Sequence, residues 1–384
     1  PDTCAALTAA LDAGVEQLGS GMGAGVAVVA LGGYGRGEQC LWSDVDLMIL
    51  HHKRETEPLV QSVFYPLWDA NIKVGHAVRT VQECRAGARD DLQTLTSLLS
   101  GRLVVGDAEL FDTFERALGE VLRERTLAPR LAELERERRL ADPYPVMAAD
   151  VKEGRGALRT FEGFWWERRR AELIGLTYPL ETVEECEAKS ALLSIRNALH
   201  ATAGRPTDRF LVDLREPAAR WLKTDLQSLA VSLTSALHVG DRLADQRWPE
   251  LHVEPESTAG LGRRVFGAVR SRFSASEKPA NGGGPESVLA IAVQAASRPQ
   301  GAWFDPAQEE LIRAAPPMEW TAADRTAFVT LLSAGGRGRT IFGLLEELGW
   351  VEREFPEWTP VSTAPQLAPF HAHPSGSHTV SYTH

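Results

Sequence analysis

The chain of 384 residues is 43% hydrophobic and 24% charged, an ordinary globular balance, and at roughly 100–200 residues per domain it should hold two or three domains. Its formal net charge of −11 disfavours a nucleic-acid partner, which would call for a basic face. No apolar run of about 18 residues exists to span a membrane, no signal peptide opens the chain, and four scattered cysteines (Cys4, Cys40, Cys84 and Cys186) form neither a zinc set nor a disulfide framework, which fits a reducing, cytoplasmic setting.

Residues 5–18 carry apolar positions at helical spacing. Val26 to Leu31 is a continuous apolar, β-branched run that predicts a buried strand, and Val45 to Leu50 predicts a second, with a Gly-rich turn between them. A helix is expected over Glu57–Asn71 and a third strand over Lys73–Thr80. Helices follow at Val81–Ala88, Asp90–Leu103 and Ala108–Arg125. Leu131–Leu140 is charged on most faces and predicts an exposed connecting helix. Arg136, Arg138, Arg139 and the run Arg168–Arg170 are expected on solvated helix faces. Asp142-Pro-Tyr-Pro145 breaks the pattern, and 156–247 is strongly helical. The stretch 271–287, rich in Ser, Gly and Pro, predicts a linker or surface loop. Helical periodicity resumes at Ser287–Ala296, Pro306–Ala315 and Ala322–Leu348.

The chemistry concentrates in Leu31-Gly-Gly-Tyr-Gly-Arg-Gly-Glu-Gln-Cys-Leu-Trp-Ser-Asp-Val-Asp-Leu47. Asp44 and Asp46 are two apart on a predicted strand, so both carboxylates leave the same face. Two such carboxylates repel unless a cation lies between them, and oxygen ligands completed by water and phosphate suit Mg²⁺. Gly32 and Gly33, directly after a strand, let backbone N–H groups approach a phosphate. Ser43 offers a hydroxyl donor beside the cation, and Arg36 a positive charge for the phosphates. A two-metal arrangement would activate an attacking hydroxyl and stabilise leaving pyrophosphate. A dinucleotide-binding loop is excluded at Gly33-x-Gly35-x-Gly37, because Glu38 follows and the required downstream helix and acid are missing.

This segment resembles the active-site segment of the bacterial PII uridylyltransferase family, whose catalytic domain belongs to the DNA-polymerase-β-like nucleotidyltransferase superfamily. The likeness extends to Gly75–Cys84, Asp91–Leu99, Asp150–Arg159 and Leu193–Leu214. In the third block Ala157 and Thr160 replace a Gly and an Asp usual in the family. The resemblance implies an α+β fold, a small mixed-sheet nucleotidyltransferase domain followed by an all-helical domain. It implies transfer of a nucleotidyl group from UTP, or ATP, to a tyrosine of the PII protein. Asp44 and Asp46 would be the catalytic metal ligands, Gly32, Gly33, Arg36 and Ser43 the nucleotide-binding residues, and Lys152 and Arg159 would shape the domain junction or touch phosphates. A third acid is common on a later strand of that superfamily. Lys73–Thr80 brings His76 and Arg79 instead, and Asp91 is the nearest candidate, with a helix N-cap as its alternative role.

Near the C-terminus, Pro356-Glu-Trp358, Gln366 and Pro369-Phe-His371 resemble the lead-in to the family's HD hydrolase domain, with His371 and His378 as ligand-type residues. The His-Asp pair and the ACT sensor domains would lie beyond His384. The chain therefore reads as a fragment, without hydrolase activity or glutamine sensing. The expected organisation is a nucleotidyltransferase domain over 1–125, a helical domain over 126–270, a linker over 271–287, helices over 288–360 and a truncated HD start over 361–384. A related transferase with another acceptor, or a non-catalytic nucleotide-binding module, remains open as an alternative.

Overall fold

A computed structural model of the chain describes residues 2–52, 57–124, 126–141, 149–248, 251, 287–298 and 304–358. The breaker at 142–145, residues 271–286 of the expected linker, and the 361–384 segment with His371 and His378 lie outside the described residues. The chain divides into two compact units, Pro1–Asp241 and Arg242–His384.

In the first unit, α1 (Asp2–Gly19) precedes a four-stranded sheet of order β3-β2-β1-β4. β1 (Val26–Ala30) is buried along its whole length, as its unbroken apolar run requires. It pairs antiparallel with β2 (Val45–His51), placing Ala30 opposite Leu47. The one-turn helix α2 (Gly32–Gly35) lies between them. α3 (Glu57–Asp69) then crosses over, so β3 (Val74–Arg79) runs parallel to β2. Val15, Val28, Tyr34, Leu47, Ile49 and Phe64 form the core around this sheet.

α4 (Val81–Asp90) opens with a capping box in which Thr80 and Glu83 exchange hydrogen bonds, an arrangement contributing about 1 kcal/mol. The helix expected over 90–103 is shorter: α5 ends at Leu99 (Leu92–Leu99), and β4 (Arg102–Gly106) begins three residues later. The apolar run Leu103-Val-Val105 fits either structure locally. Pairing with β1, Val28 opposite Val105, makes it a strand and covers an edge of β1.

α6 (Ala108–Glu124) buries a stripe of Leu110, Phe114, Leu118, Val121 and Leu122. α7 (Ala128–Ala141) is not the exposed connector its charge predicts, because Leu131, Ala132 and Glu135 are buried. Glu135 accepts from the Thr160 hydroxyl at 2.9 Å and pairs with Arg138 at 3.0 Å. Thr160 thus supplies a donor to a buried acid where the family's usual Asp would add a second negative charge.

α8 (Leu158–Ile174), α9 (Val183–Ala203), α10 (Val212–Trp221) and α11 (Leu226–Arg247) complete the helical region expected from the sequence. Arginines placed on solvated faces by the sequence instead tie helices together. Arg168 pairs with Glu185 at 2.7 Å, Arg169 with Glu115, and Arg139 with Asp241 at 2.8 Å.

The second unit holds α12 (Val288–Ala296), α13 (Pro306–Ala314), α14 (Ala322–Leu332), α15 (Gly335–Glu347) and α16 (Trp350–Glu354). The helix expected over 322–348 is two helices, interrupted at Ser333 and Ala334. Leu289, Ile312, Leu331, Ile341 and Trp350 form its core. Trp320 packs edge-on against Phe328 and donates its indole N–H to Glu354 at 3.1 Å. Among the described residues, no helix is long and apolar enough to cross a membrane.

Candidate active site

The turn after β1 is welded to β2 at its first residue, where the Leu31 N–H donates to the Asp46 carbonyl at 2.9 Å. Gly32 then adopts φ +55°, a left-handed conformation that favours glycine. A Cβ there would lie 2.8 Å from Asp46 Oδ2. On the other side, β3 places Gly75 in register with Asp46, and a Cβ on Gly75 would lie 2.3 Å from Asp46 Oδ1. The Asp46 carboxylate therefore occupies the space left by two missing side chains on two different elements.

Burial raises the proton affinity of Asp46, and the neighbouring Asp44 raises it further, against opposing charges from Lys152 and Arg36. Asp44 lies just before β2 and meets the Lys73 ammonium at 2.9 Å; at 77% exposure for Lys73 and 44% for Asp44, that pair is readily exchanged for another cation. The Ser43 hydroxyl is buried and has no hydrogen-bond partner among the described residues. Two carboxylates close enough to feel each other's charge and an unsatisfied hydroxyl fit a divalent cation carrying phosphate oxygens. At Gly33 a Cβ would meet only the Glu38 carbonyl at 3.7 Å, an ordinary contact, so the fold itself does not demand glycine there. As at any helix start, the N–H groups of Gly32, Gly33 and Tyr34 have no carbonyl one turn back to bind.

The loop from Arg36 to Asp44 is fastened to the helical region. Arg36 is 4% exposed and pairs with Glu38 at 2.7 Å and with Glu162 of α8 at 2.6 Å. Glu162 also binds Arg159 at 2.5 Å, and Glu38 faces Lys189 of α9 at 3.4 Å. The Leu41 N–H donates to Asn197 Oδ1 at 2.9 Å, and the Leu41 carbonyl meets the ring of His200, which is tied in turn to Asp208 at 3.1 Å. Gln39 donates to the Ser43 carbonyl at 3.0 Å. This frame holds Trp42 58% exposed at φ +57°, two residues before Asp44.

Of the residues singled out from the sequence, Gly32, Ser43, Asp44 and Asp46 come together, with Gly33 in the adjoining first turn of α2. Arg36 does not present its charge at this cluster as a free group, because its guanidinium is committed to the carboxylates of Glu38 and Glu162. Asp91 is the N-cap of α5, its carboxylate accepting the Thr94 N–H at 2.6 Å. His76 packs against Phe64 and Trp68, with ring centroids 5.4 and 5.3 Å away. Sequence reasoning did not assign Gly75, Lys73 or Glu162 to the site. A signal for Gly75 existed only in strand pairing, which sets it opposite Asp46.

The sequence model of the family described as GlnD PII-uridylyltransferase matches residues 125–238. The chain is 31% identical over 382 residues to a bifunctional uridylyltransferase/uridylyl-removing enzyme of Streptomyces coelicolor, a match covering 90% of this chain and 45% of that protein. A protein of the same name from Ruegeria pomeroyi is 28% identical over 392 residues, 92% of this chain and 43% of its own length. One from Erythrobacter litoralis is 37% identical over 215 residues, 52% of this chain and 23% of its own. The chain thus spans less than half the length of these relatives. The likeness runs through the sheet and the helical region alike, and residues 125–238 are a domain of the GlnD PII-uridylyltransferase family.

Proposed function

We propose that this chain transfers UMP from UTP to a tyrosine hydroxyl of the PII signalling protein in the cytoplasm and releases pyrophosphate, with Mg²⁺ held by Asp44 and Asp46. The observation that carries the proposal is the Asp46 carboxylate, partly buried within the field of Asp44 in space cleared by Gly32 and Gly75. When bound, Mg²⁺ supplies charge neutralisation for the triphosphate and polarises the reacting oxygens. The chain's own groups bind and orient. The N–H groups opening α2 face the phosphates, Ser43 donates its free hydroxyl, and Lys73 gives up Asp44. Lys152, whose charge is felt by Asp46, Glu162 and Asp208, adds positive potential from the helical region. The names of the relatives favour UTP over ATP as donor, and the description of the matching family favours PII as acceptor.

The test is incubation of the chain with Mg²⁺, PII and labelled UTP or ATP. Label on PII from UTP, lost in Asp44→Ala, is the expected result; label from ATP alone would reassign the donor. Nucleotide binding without transfer to any acceptor would favour a regulatory module instead, a reading to which the engagement of Asp91 as a helix cap gives some support.

The two glycines that differ in steric freedom should separate folding from ligand binding. Gly33→Ala is expected to leave thermal stability within about 0.5 kcal/mol, since its Cβ meets only an ordinary contact. It should still raise the KM for nucleotide by about tenfold, because the methyl would stand where phosphate approaches. Gly75→Ala should act on the carboxylate. Its Cβ would displace Asp46 Oδ1 from 2.3 Å, and a misplacement of that size is expected to lower kcat by about 10²-fold. Unchanged kinetics in Gly75→Ala would rule out this position for the reacting metal.

A further inference from the structure

Cys4 and Cys40 are 36 residues apart in sequence, and their sulfurs lie 3.7 Å from each other. Both residues are 2% exposed. Cys4 belongs to α1, and Cys40 belongs to the loop that ends at Asp44. A single amide joins the pair to that loop: Asn197 Nδ2 donates to Cys4 Sγ at 3.1 Å, while Asn197 Oδ1 accepts the Leu41 N–H at 2.9 Å. The Cys40 carbonyl accepts the Ser43 N–H at 3.2 Å, so the residue carrying the thiol also forms the turn that sets Ser43 and Asp44. Neither thiol has a part in the proposed nucleotide transfer.

We propose that Cys4 and Cys40 form a reversible oxidation site for a peroxide, and that the resulting disulfide shifts the Cys40–Asp44 turn and slows nucleotide transfer. Asn197 donates to the Cys4 sulfur at 3.1 Å, whereas Cys40 Sγ lies 3.6 Å from the Glu38 carbonyl oxygen, so Cys4 is the better stabilised thiolate of the two, and it attacks the peroxide O–O bond. One oxygen is transferred to give a sulfenic acid on Cys4, and the other leaves as water after taking a proton. The Cys40 sulfur then attacks the Cys4 sulfur, and the sulfenic oxygen leaves as a second water. Two thiols have lost two electrons and two protons, and the peroxide has been reduced to two waters. A peroxide is the oxidant class that suits sulfurs this deeply buried, because it is little larger than water.

Bond formation requires the sulfurs to close from 3.7 Å to about 2.05 Å. That movement pulls Cys4 off Asn197 or draws Asn197 and Leu41 along with it. Either way the disturbance enters the loop three residues before Asp44. Reacting groups tolerate little displacement: about 1 Å can cost 10²-fold in rate. A tenfold fall is expected here, since Asp46 is held separately by Gly32 and Gly75. A thiol pair of this kind in a reducing compartment is oxidised transiently and signals redox state.

The experiment uses the full chain with its exposed thiol removed by Cys186→Ser. The protein is treated with hydrogen peroxide and digested without reduction. Mass spectrometry should find Cys4 and Cys40 peptides joined, 2 Da below the sum of the free thiol forms. The Leu41 amide, bonded to Asn197, should exchange at least about tenfold faster in the oxidised protein. Transfer from UTP should fall about tenfold, and dithiothreitol should restore both readings. Cys4→Ser and Cys4→Ala should each keep basal transfer and lose peroxide sensitivity. Free Cys4 and Cys40 after treatment would overturn the site. A joined pair with unchanged exchange at Leu41 would overturn the coupling to the loop. The effect on turnover rests on the proposed function, but the cross-link and the exchange rate do not, so absence of any transfer before treatment would count against that function alone.

Discussion

Asp46→Asn is expected to lower nucleotide transfer to PII by about 10³-fold or more while leaving the fold as stable as before, or slightly more so. The two effects share one cause. In the folded chain the Asp46 carboxylate is partly buried and feels the charge of Asp44, and both factors raise its affinity for a proton. Its negative charge is therefore an electrostatic cost to the fold, offset only in part by Lys152 and Arg36. Asn has nearly the same shape, fills the same space between Gly32 and Gly75, and removes that cost. Transfer loses an anionic metal ligand and with it about 4 kcal/mol of transition-state stabilisation. Radiolabel transfer and thermal unfolding of the two proteins measure the pair of effects. A variant within tenfold of the parent rate would remove Asp46 from the chemistry. A fall of several degrees in Tm would mean that the carboxylate holds the fold together instead of costing it stability. Asp44→Asn should lower the rate as well, but its exposed pair with Lys73 makes it the less stability-sensitive position.

The acids at the centre of that experiment were legible in the sequence because local rules suffice for them. Two strands flanked a Gly-rich turn, and the two acids stood at the start of the second strand, Asp44 just before β2 and Asp46 within it. Gly75 was not legible as part of the site, since its place follows from parallel pairing between β2 and β3, separated by a helix. β4 was hidden for a related reason: Leu103-Val-Val105 has no periodicity that chooses between helix and strand, and only β1 decides it. Arg36 misled in the opposite direction. Next to a phosphate-type turn an arginine suggests an anion ligand, yet its partners Glu38 and Glu162 are a local and a distant acid, and the distant one lies 126 residues on. The same blindness applied to Arg168 and Arg169, whose partners on other helices turn an apparent surface run into cross-links. Asp91 shows the converse. A helix cap is a local feature, and the sequence already offered it as the alternative to a third acid.

Glu162→Ala should destabilise the first unit by about 3 kcal/mol, near the lower end for breaking a buried ion pair. Glu162 is 11% exposed and divides its two oxygens between Arg36 at 2.6 Å and Arg159 at 2.5 Å. Removing it leaves the buried Arg36 guanidinium with Glu38 and the Ser100 hydroxyl, while Arg159 keeps Glu153 at 2.9 Å. These surviving partners place the cost at the low end of the range. Burial alone would raise the Glu162 pKa, but the charges of Arg36 and Arg159 outweigh it and hold the carboxyl below the ordinary glutamate value of 4.5. Asp208 is likewise depressed: burial opposes, but His200 and Arg196 prevail. A depressed carboxylate stabilises the fold fully above its ordinary value and loses that contribution as pH falls through its folded-state value. The first unit should therefore weaken progressively below about pH 4.5, and Glu162→Gln should flatten that dependence because one of the titrating groups is gone. Hydrogen exchange of the β1 and α8 amides, followed from pH 6 downward, reads this unit by itself. The pairing has a further consequence at neutral pH. Arg36→Met combined with Glu162→Leu should recover part of the loss, with a coupling of about 1–2 kcal/mol across the double-mutant cycle. Additive losses would mean that each side chain is held by its other partners, and that the bolt between the active-site loop and α8 lies elsewhere.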